Sequence, residues 1–244
     1  MSQTYPQGNS YEFEADEVQA RMADAVDRAS FVTKTYSILF LSIAAFIGVE
    51  VYLFQSGLAD KLFHAGGSLL FFALFVVAGW VATRFAERSE SLLIQFLALA
   101  GFIVAEAVFF APLLVYATKF VDPDGSKGVL VNSVGFTLVG FAALTAVVFT
   151  TRRDFSFLRS FLLWGGLSAF ALIVSGLIFG FSLGPIFWIA MVAFAGASIL
   201  YDTSNVIHHY PSTKYVAAAL QLFASVAVLF WYVLRLVMHF SSDD

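Results

Sequence analysis

Seven stretches of the chain are long and apolar enough to cross a bilayer, which takes roughly 20 mainly apolar residues each. They lie at approximately 35–55, 67–84, 91–117, 129–150, 157–179, 185–206 and 214–240. Polar breaks separate them. One connection runs from Gln55-Ser56-Gly57 to His64, and Arg84 to Glu90 reads RFAERSE. Lys119 to Lys127 contains DPDGSK, a strong turn signal. Thr151-Arg152-Arg153-Asp154 is a second charged turn, Phe181 to Pro185 a tight apolar one, and His208 to Lys214 contains Pro211. Ahead of the first span, residues 1–15 bury nothing useful and predict an unstructured segment. Residues 16–30 put Val18, Met22, Ala25, Val26 and Ala29 on one helical face. That face predicts a short amphipathic helix, lying at a membrane surface or against the bundle, or else a solvated lead-in to the first span. The division expected is a tail, 1–30, and a seven-helix membrane domain, 31–240.

Composition agrees with a membrane class. Of the 244 residues 60% are hydrophobic and only 12% charged, where soluble domains carry about 25% charged residues. The chain has no cysteine, which excludes disulfides, thiolate catalysis and Cys-ligated metals. A net charge of −4 offers no basic face for nucleic acid. The polar, acidic N-terminus predicts no cleavable signal peptide. Nine basic residues lie in the tail and the second, fourth and sixth loops, against four on the other side. This places the N-terminus in the cytoplasm and, after seven crossings, the C-terminus outside.

Charge inside a span is costly and usually faces a bundle interior or water. Glu50 falls near the outer end of the first span and Arg235 near that of the last, where both can reach the headgroups. Glu106 is close to mid-membrane in the third span, without an easy route to water. Asp202 ends the apolar run of the sixth span, in SILYDTSNVIHHY. Arg84 and Arg88 belong to the same layer, so either could form a salt bridge with Asp202 and hold a pore shut. GFSLG, Gly180 to Gly184, matches a hydrolase motif but lacks the strand–turn–helix setting it needs. His208 and His209 point about 100° apart on a helix, and a metal site wants three or four converging ligands. The last span has no lysine for a retinal Schiff base. No catalytic residues and no cofactor are expected; the chain reads as a non-enzyme.

Three stretches resemble the Bax inhibitor-like transmembrane family in its bacterial form: TRRDFSFLRSFLLW, Thr151 to Trp164; SILYDTSNVI, Ser198 to Ile207; and LRLVMHF before a polar terminus. AEAVFFAPL, Ala105 to Leu113, fits more loosely. The resemblance implies an all-α integral membrane fold, a seven-helix bundle with a central last helix wrapped by two three-helix layers. It implies a pH-sensitive calcium leak in the bacterial inner membrane. In the family a sixth-helix and a seventh-helix acid share a proton, and a basic residue latches them. Asp202 carries over as the sixth-helix acid and the weak calcium ligand; Arg84 or Arg88 fits the latch, Arg84 the better. Counting back from Arg235 puts Ser225 where the resemblance implies the second acid, so the di-acid is absent from its usual place; Glu106 on the third span is an acid that could substitute for it. The resemblance also implies an alternative role, modulation of a membrane-anchored ATP-dependent protease or stress response.

Overall fold

A computed structural model describes residues 10–65 and 69–242. Within them the chain forms eight α-helices: α1 (Ser10–Gln55), α2 (Leu58–Ala65), α3 (Leu69–Arg88), α4 (Leu92–Tyr116), α5 (Val129–Thr151), α6 (Leu158–Phe179), α7 (Gly184–His208) and α8 (Tyr215–Ser242). Seven are long and apolar enough to span: all but α2. Each expected span falls on one of them, with ends shifted by a few residues except at two places. The first span lies in a helix that begins at Ser10, 46 residues long. At 1.5 Å per residue it measures about 69 Å, more than twice the roughly 30 Å hydrocarbon core. Residues 16–30 are therefore continuous with the first span rather than a separate helix. Met22 and Val26, on their apolar face, are exposed and not packed on the bundle. Residues 1–9 of the expected tail, and the side chain of Val18, lie outside the described residues. The third span gains a π-helical turn, Ala117–Val121, after Tyr116.

α8 is the core. Of its apolar window 72% is buried, against 11–33% for the other spans. Ala217, Ala218, Ala219, Leu222 and Leu234 are at most 3% exposed, and no acid and one lysine-free apolar run make that burial affordable in a helix apolar on every side. Two layers of three spans flank it. α4 packs against α1 and α3 in one layer, and α7 packs against α5 and α6 in the other. α1, α3, α4, α5 and α7 all touch α8, while α6 sits outside α7 and meets α3 only along one seam.

The turns follow local chemistry. Gly57, Gly180 and Gly184 take positive φ where α1 and α6 stop and α7 starts, a conformation only glycine adopts without cost. Asp122 is buried; its carboxylate accepts the backbone N–H of Lys127 and of Val129, both at 3.0 Å, and so opens α5. Lys127 Nζ donates to the Ser241 carbonyl, tying this loop to the end of α8. The polar connection after Gln55 contains the additional helix α2, held to the π turn by Lys119 and Asp60 at 2.5 Å.

Candidate functional site

One end of the bundle carries the turns α3–α4, α5–α6 and α7–α8 together with the N-terminal half of α1; it is called the basic end here. Near it, the last turns of α7 send three consecutive side chains to three different partners, as 100° per residue requires. Asp202 faces α8, where Ser225 Oγ donates to its Oδ2 at 2.5 Å and Gln221 lies close by. Thr203 faces α1 and accepts from Tyr36 Oη at 3.5 Å. Ser204 faces the α5–α6 turn, accepting the Phe155 N–H at 3.0 Å and donating to Asp154 at 3.5 Å. Asp202, Thr203, Ser204 and Ser225 are all at most 6% exposed. The Tyr-Asp-Thr-Ser stretch is thus a polar hub joining the central helix to both layers.

Ser225 stands opposite Asp202, the position reached by counting from Arg235. The expected latch is not present. Arg84 is exposed and its guanidinium lies 5.7 Å over the Trp80 ring; Arg88 is exposed too, and neither forms an ion pair with Asp202. The reason is geometric: both project from α3 at the bundle surface, whereas Asp202 is turned inward onto α8. Two other cations close this end. Arg28 Nη1 donates to the Tyr210 carbonyl at 2.7 Å, and Lys214 Nζ donates to the Ser89 carbonyl at 2.6 Å and pairs with Glu90 at 2.9 Å. Both clamp the α7–α8 turn. Sequence reasoning missed them because their acceptors are mainly backbone carbonyls, which no side-chain pattern reveals. Tyr210, stacked on Phe31, is buried enough that its phenol is pushed above its ordinary value, with Asp202 contributing.

Asp154 lies outside the spans. The Ser156 backbone N–H, at 2.8 Å, holds its carboxyl below the usual carboxylate range, helped by Ser156 Oγ and by His209 and His208. His209 Nε2 is 3.4 Å from it, both half-exposed. Among the described residues no three His, Cys, Asp or Glu side chains converge on a metal site. Ser182 of GFSLG is exposed in the α6–α7 turn.

Glu106 belongs to a different feature. A cavity of about 960 Å³ lies along the α3–α6 seam, walled by α3, α4, α6, α7 and α8. Glu106 is 4% exposed and lines its inner part near Ala227; Arg235, His239 and Ser242 lie toward the opposite end of the bundle. One turn from Glu106 toward the basic end, Phe102 meets Phe223, and Phe223 meets Phe46, both at 6.0 Å. This aromatic step lies between the cavity and the basic end, Ser225 stands two residues beyond Phe223 on α8, and no hydrogen bond joins Glu106 to Asp202. Of the two outer charges, Glu50 does not reach the headgroups: it is 7% exposed, and neither carboxylate oxygen has a partner among the described residues. Arg235 is partly exposed and lies between Trp231, at 5.3 Å, and Trp188, at 5.9 Å.

Fold and site together define a multi-pass helical membrane protein organised around a buried polar contact on its central helix. The sequence profile described as "Inhibitor of apoptosis-promoting Bax1" matches residues 28–242, and the chain belongs to that Bax inhibitor family. It is 28% identical to Bax inhibitor 1 of Schizosaccharomyces pombe over 89% of this chain and 79% of that protein. It is 28% identical to the Golgi anti-apoptotic protein of vaccinia virus (strain Lister) over 86% and 85%. With the Modulator of FtsH protease YccA of Escherichia coli it shares 30% identity over 49% of this chain and 54% of that protein.

Proposed function

We propose that the protein is a passive, gated cation leak, with calcium as the ion, in a bacterial inner membrane and with the basic end in the cytoplasm. The observation that carries this reading is Glu106: a carboxyl group in mid-span, lining a cavity that leads toward the far end of the bundle. Intramembrane acids mark ion paths more often than structural positions. The path would run from the cavity past Glu106 and the Asp202–Ser225 pair, and out through the aromatic step when it parts. The Phe102–Phe223 contact supports reading this arrangement as the path's closed state. Ser225 in place of a second acid removes proton sharing, so pH would act through single carboxyls rather than a coupled pair. The test is calcium flux into proteoliposomes at pH 6 to 8. Asp202→Asn should change the flux or its pH response, and Glu106→Gln should lower it; flux unchanged in both variants sinks the proposal.

A second reading rests on a different observation. The relative named as a modulator of FtsH protease and the exposed N-terminal part of α1, with Met22 and Val26 open, suit engagement of a membrane-anchored protease. Deleting residues 1–24 separates the two: protease modulation should fail while the leak survives.

A further inference from the structure

A second, smaller hollow lies apart from the cavity and shares no lining residue with it. α5 and α6 each pack on α7 but scarcely on each other, and a groove of about 440 Å³ opens there. Its floor is α7 from Val192 to Leu200, where small residues such as Ala193 and Ala197 leave it room. Leu144 of α5 forms one side, and Phe155, Phe157 and Leu158 close the end beneath the α5–α6 turn. Every lining side chain is apolar. Ala193 and Phe157 are exposed, so the groove is open to the bilayer rather than sealed inside the protein.

The turn at the head of this groove reads TRRDFSFLR, Thr151 to Arg159. Arg152 and Arg153 stand just before Phe155, and Arg159 follows Leu158 directly. All three are exposed, and none has an ion-pair partner among the described residues. Asp154, the one acid of the turn, is committed elsewhere, to the Ser156 N–H at 2.8 Å and to His209 at 3.4 Å. Arg152 carries a further mark. It ends α5 at φ 50°, the one non-glycine residue at positive φ among the described residues, in a place that glycine usually fills. Strain kept at such a position is a pointer to function.

Guanidiniums without carboxylates call for an anion, and their planar fork matches phosphate oxygens in pairs. The groove below them calls for an acyl chain. From Leu200 to Val192 its floor runs away from the basic end over about 12 Å, against about 15 Å for half of the hydrocarbon core. A lipid of that leaflet lies in the same sense, headgroup at the turn and chain toward the midplane. Because the groove is open, the rest of the chain continues into the bilayer. Basic clefts between membrane helices are where anionic headgroups bind.

We infer that this groove is a binding site for an anionic glycerophospholipid, its phosphate on Arg152, Arg153 and Arg159 and one acyl chain on α7 between α5 and α6. Phe155, at the head of the groove, donates its N–H to Ser204, so the lipid sits one hydrogen bond from the polar hub. The site requires the spans and not the leak.

The test uses the full chain in dodecyl maltoside and native mass spectrometry, with dioleoylphosphatidylglycerol and dioleoylphosphatidylcholine as paired probes. The first phosphatidylglycerol should bind at least about tenfold tighter than the first phosphatidylcholine. Arg153→Gln with Arg159→Gln should erase that preference. Arg84→Gln with Arg88→Gln removes the same charge from α3 at the same end and should leave the preference within about twofold. Ala193→Phe, which fills the groove and keeps the arginines, should weaken phosphatidylglycerol binding at least about threefold. Arg152→Gly should raise the unfolding midpoint by relieving its φ and yet lower phosphatidylglycerol affinity, a pairing that a purely structural role for Arg152 does not produce. Equal binding of the two lipids by the parent protein overturns the inference. So does an equal loss from the α3 pair and the turn pair, which would make the attraction a property of the whole basic end. Unaltered binding in Ala193→Phe, or displacement of the lipid by excess glycerol 3-phosphate, would leave the groove without an acyl chain and overturns it too. Ion flux is not read, so a protein that conducts nothing tests the site equally well.

Discussion

At the residue scale the decisive contact is Ser225 on Asp202. A buried carboxylate that loses a donor pays part of its desolvation, about 1–3 kcal/mol. Ser225→Ala should therefore lower thermal stability by that order, measured as the unfolding midpoint in detergent. Ser225→Asp does something different. It places a second carboxyl 2.5 Å-contact close to the first, and two such groups cannot both ionise without strong coupling. If the proposed leak is correct, calcium flux in the Ser225→Asp protein should become more steeply dependent on pH than in the parent; an unaltered pH profile would place Asp202 off the proposed path. Asp154 provides a simpler titration. Its carboxyl is lowered in the folded protein, so its stabilisation is complete above the ordinary carboxylate range and is lost as pH falls through the lowered value. Asp154→Asn should lower stability at neutral pH and flatten the acid limb, so that parent and variant converge as pH falls through the lowered value.

At the element scale, spans were legible and faces were not. A 20-residue apolar run announces itself, but a helix apolar on every side does not say which residues point inward. That is why the positions of α3 and α7 could be read while the absence of an Arg84–Asp202 latch could not. The same blindness hid the cavity, which exists because α3 and α6 only graze each other. Asp202 was legible as a lone acid ending an apolar run, and Ser225 through the family resemblance, which implies an acid at its position. Arg28 and Lys214 were not, because they hold backbone carbonyls. Arg28→Ala should speed amide exchange across 209–214, with little change elsewhere in α7 and α8. Glycines separate in the same way. A Cβ at Gly176 would lie 3.1 Å from the Phe181 carbonyl oxygen, a backbone atom, whereas one at Gly135 meets nothing within 4 Å. Gly176→Ala should destabilise the α6–α7 turn and Gly135→Ala should be neutral or stabilising by up to about 1 kcal/mol; thermal unfolding of the pair checks this.

At the scale of the whole molecule, two three-helix layers meet on α8 and leave one seam loose. Phe102, with 4% exposure, is part of the aromatic step between that seam and the basic end, which the proposed leak would have to cross. Phe102→Ala should cost about 3–5 kcal/mol of stability and raise calcium flux severalfold in vesicles where the protein remains folded. Unchanged flux in folded Phe102→Ala protein would move the barrier elsewhere.

The central place of α8 also sets an order of construction. α8 follows α1 and α3 to α7 along the chain, so all six reach the bilayer before the helix they surround. Until it arrives, the inner faces of both layers have only lipid, or one another, to rest on. The outer helices thus form a waiting scaffold rather than a nucleus, and the closing event of folding is the threading of a long apolar helix between two half-assembled walls. A chain interrupted before Tyr215 should keep its spans in the membrane yet lack a fold.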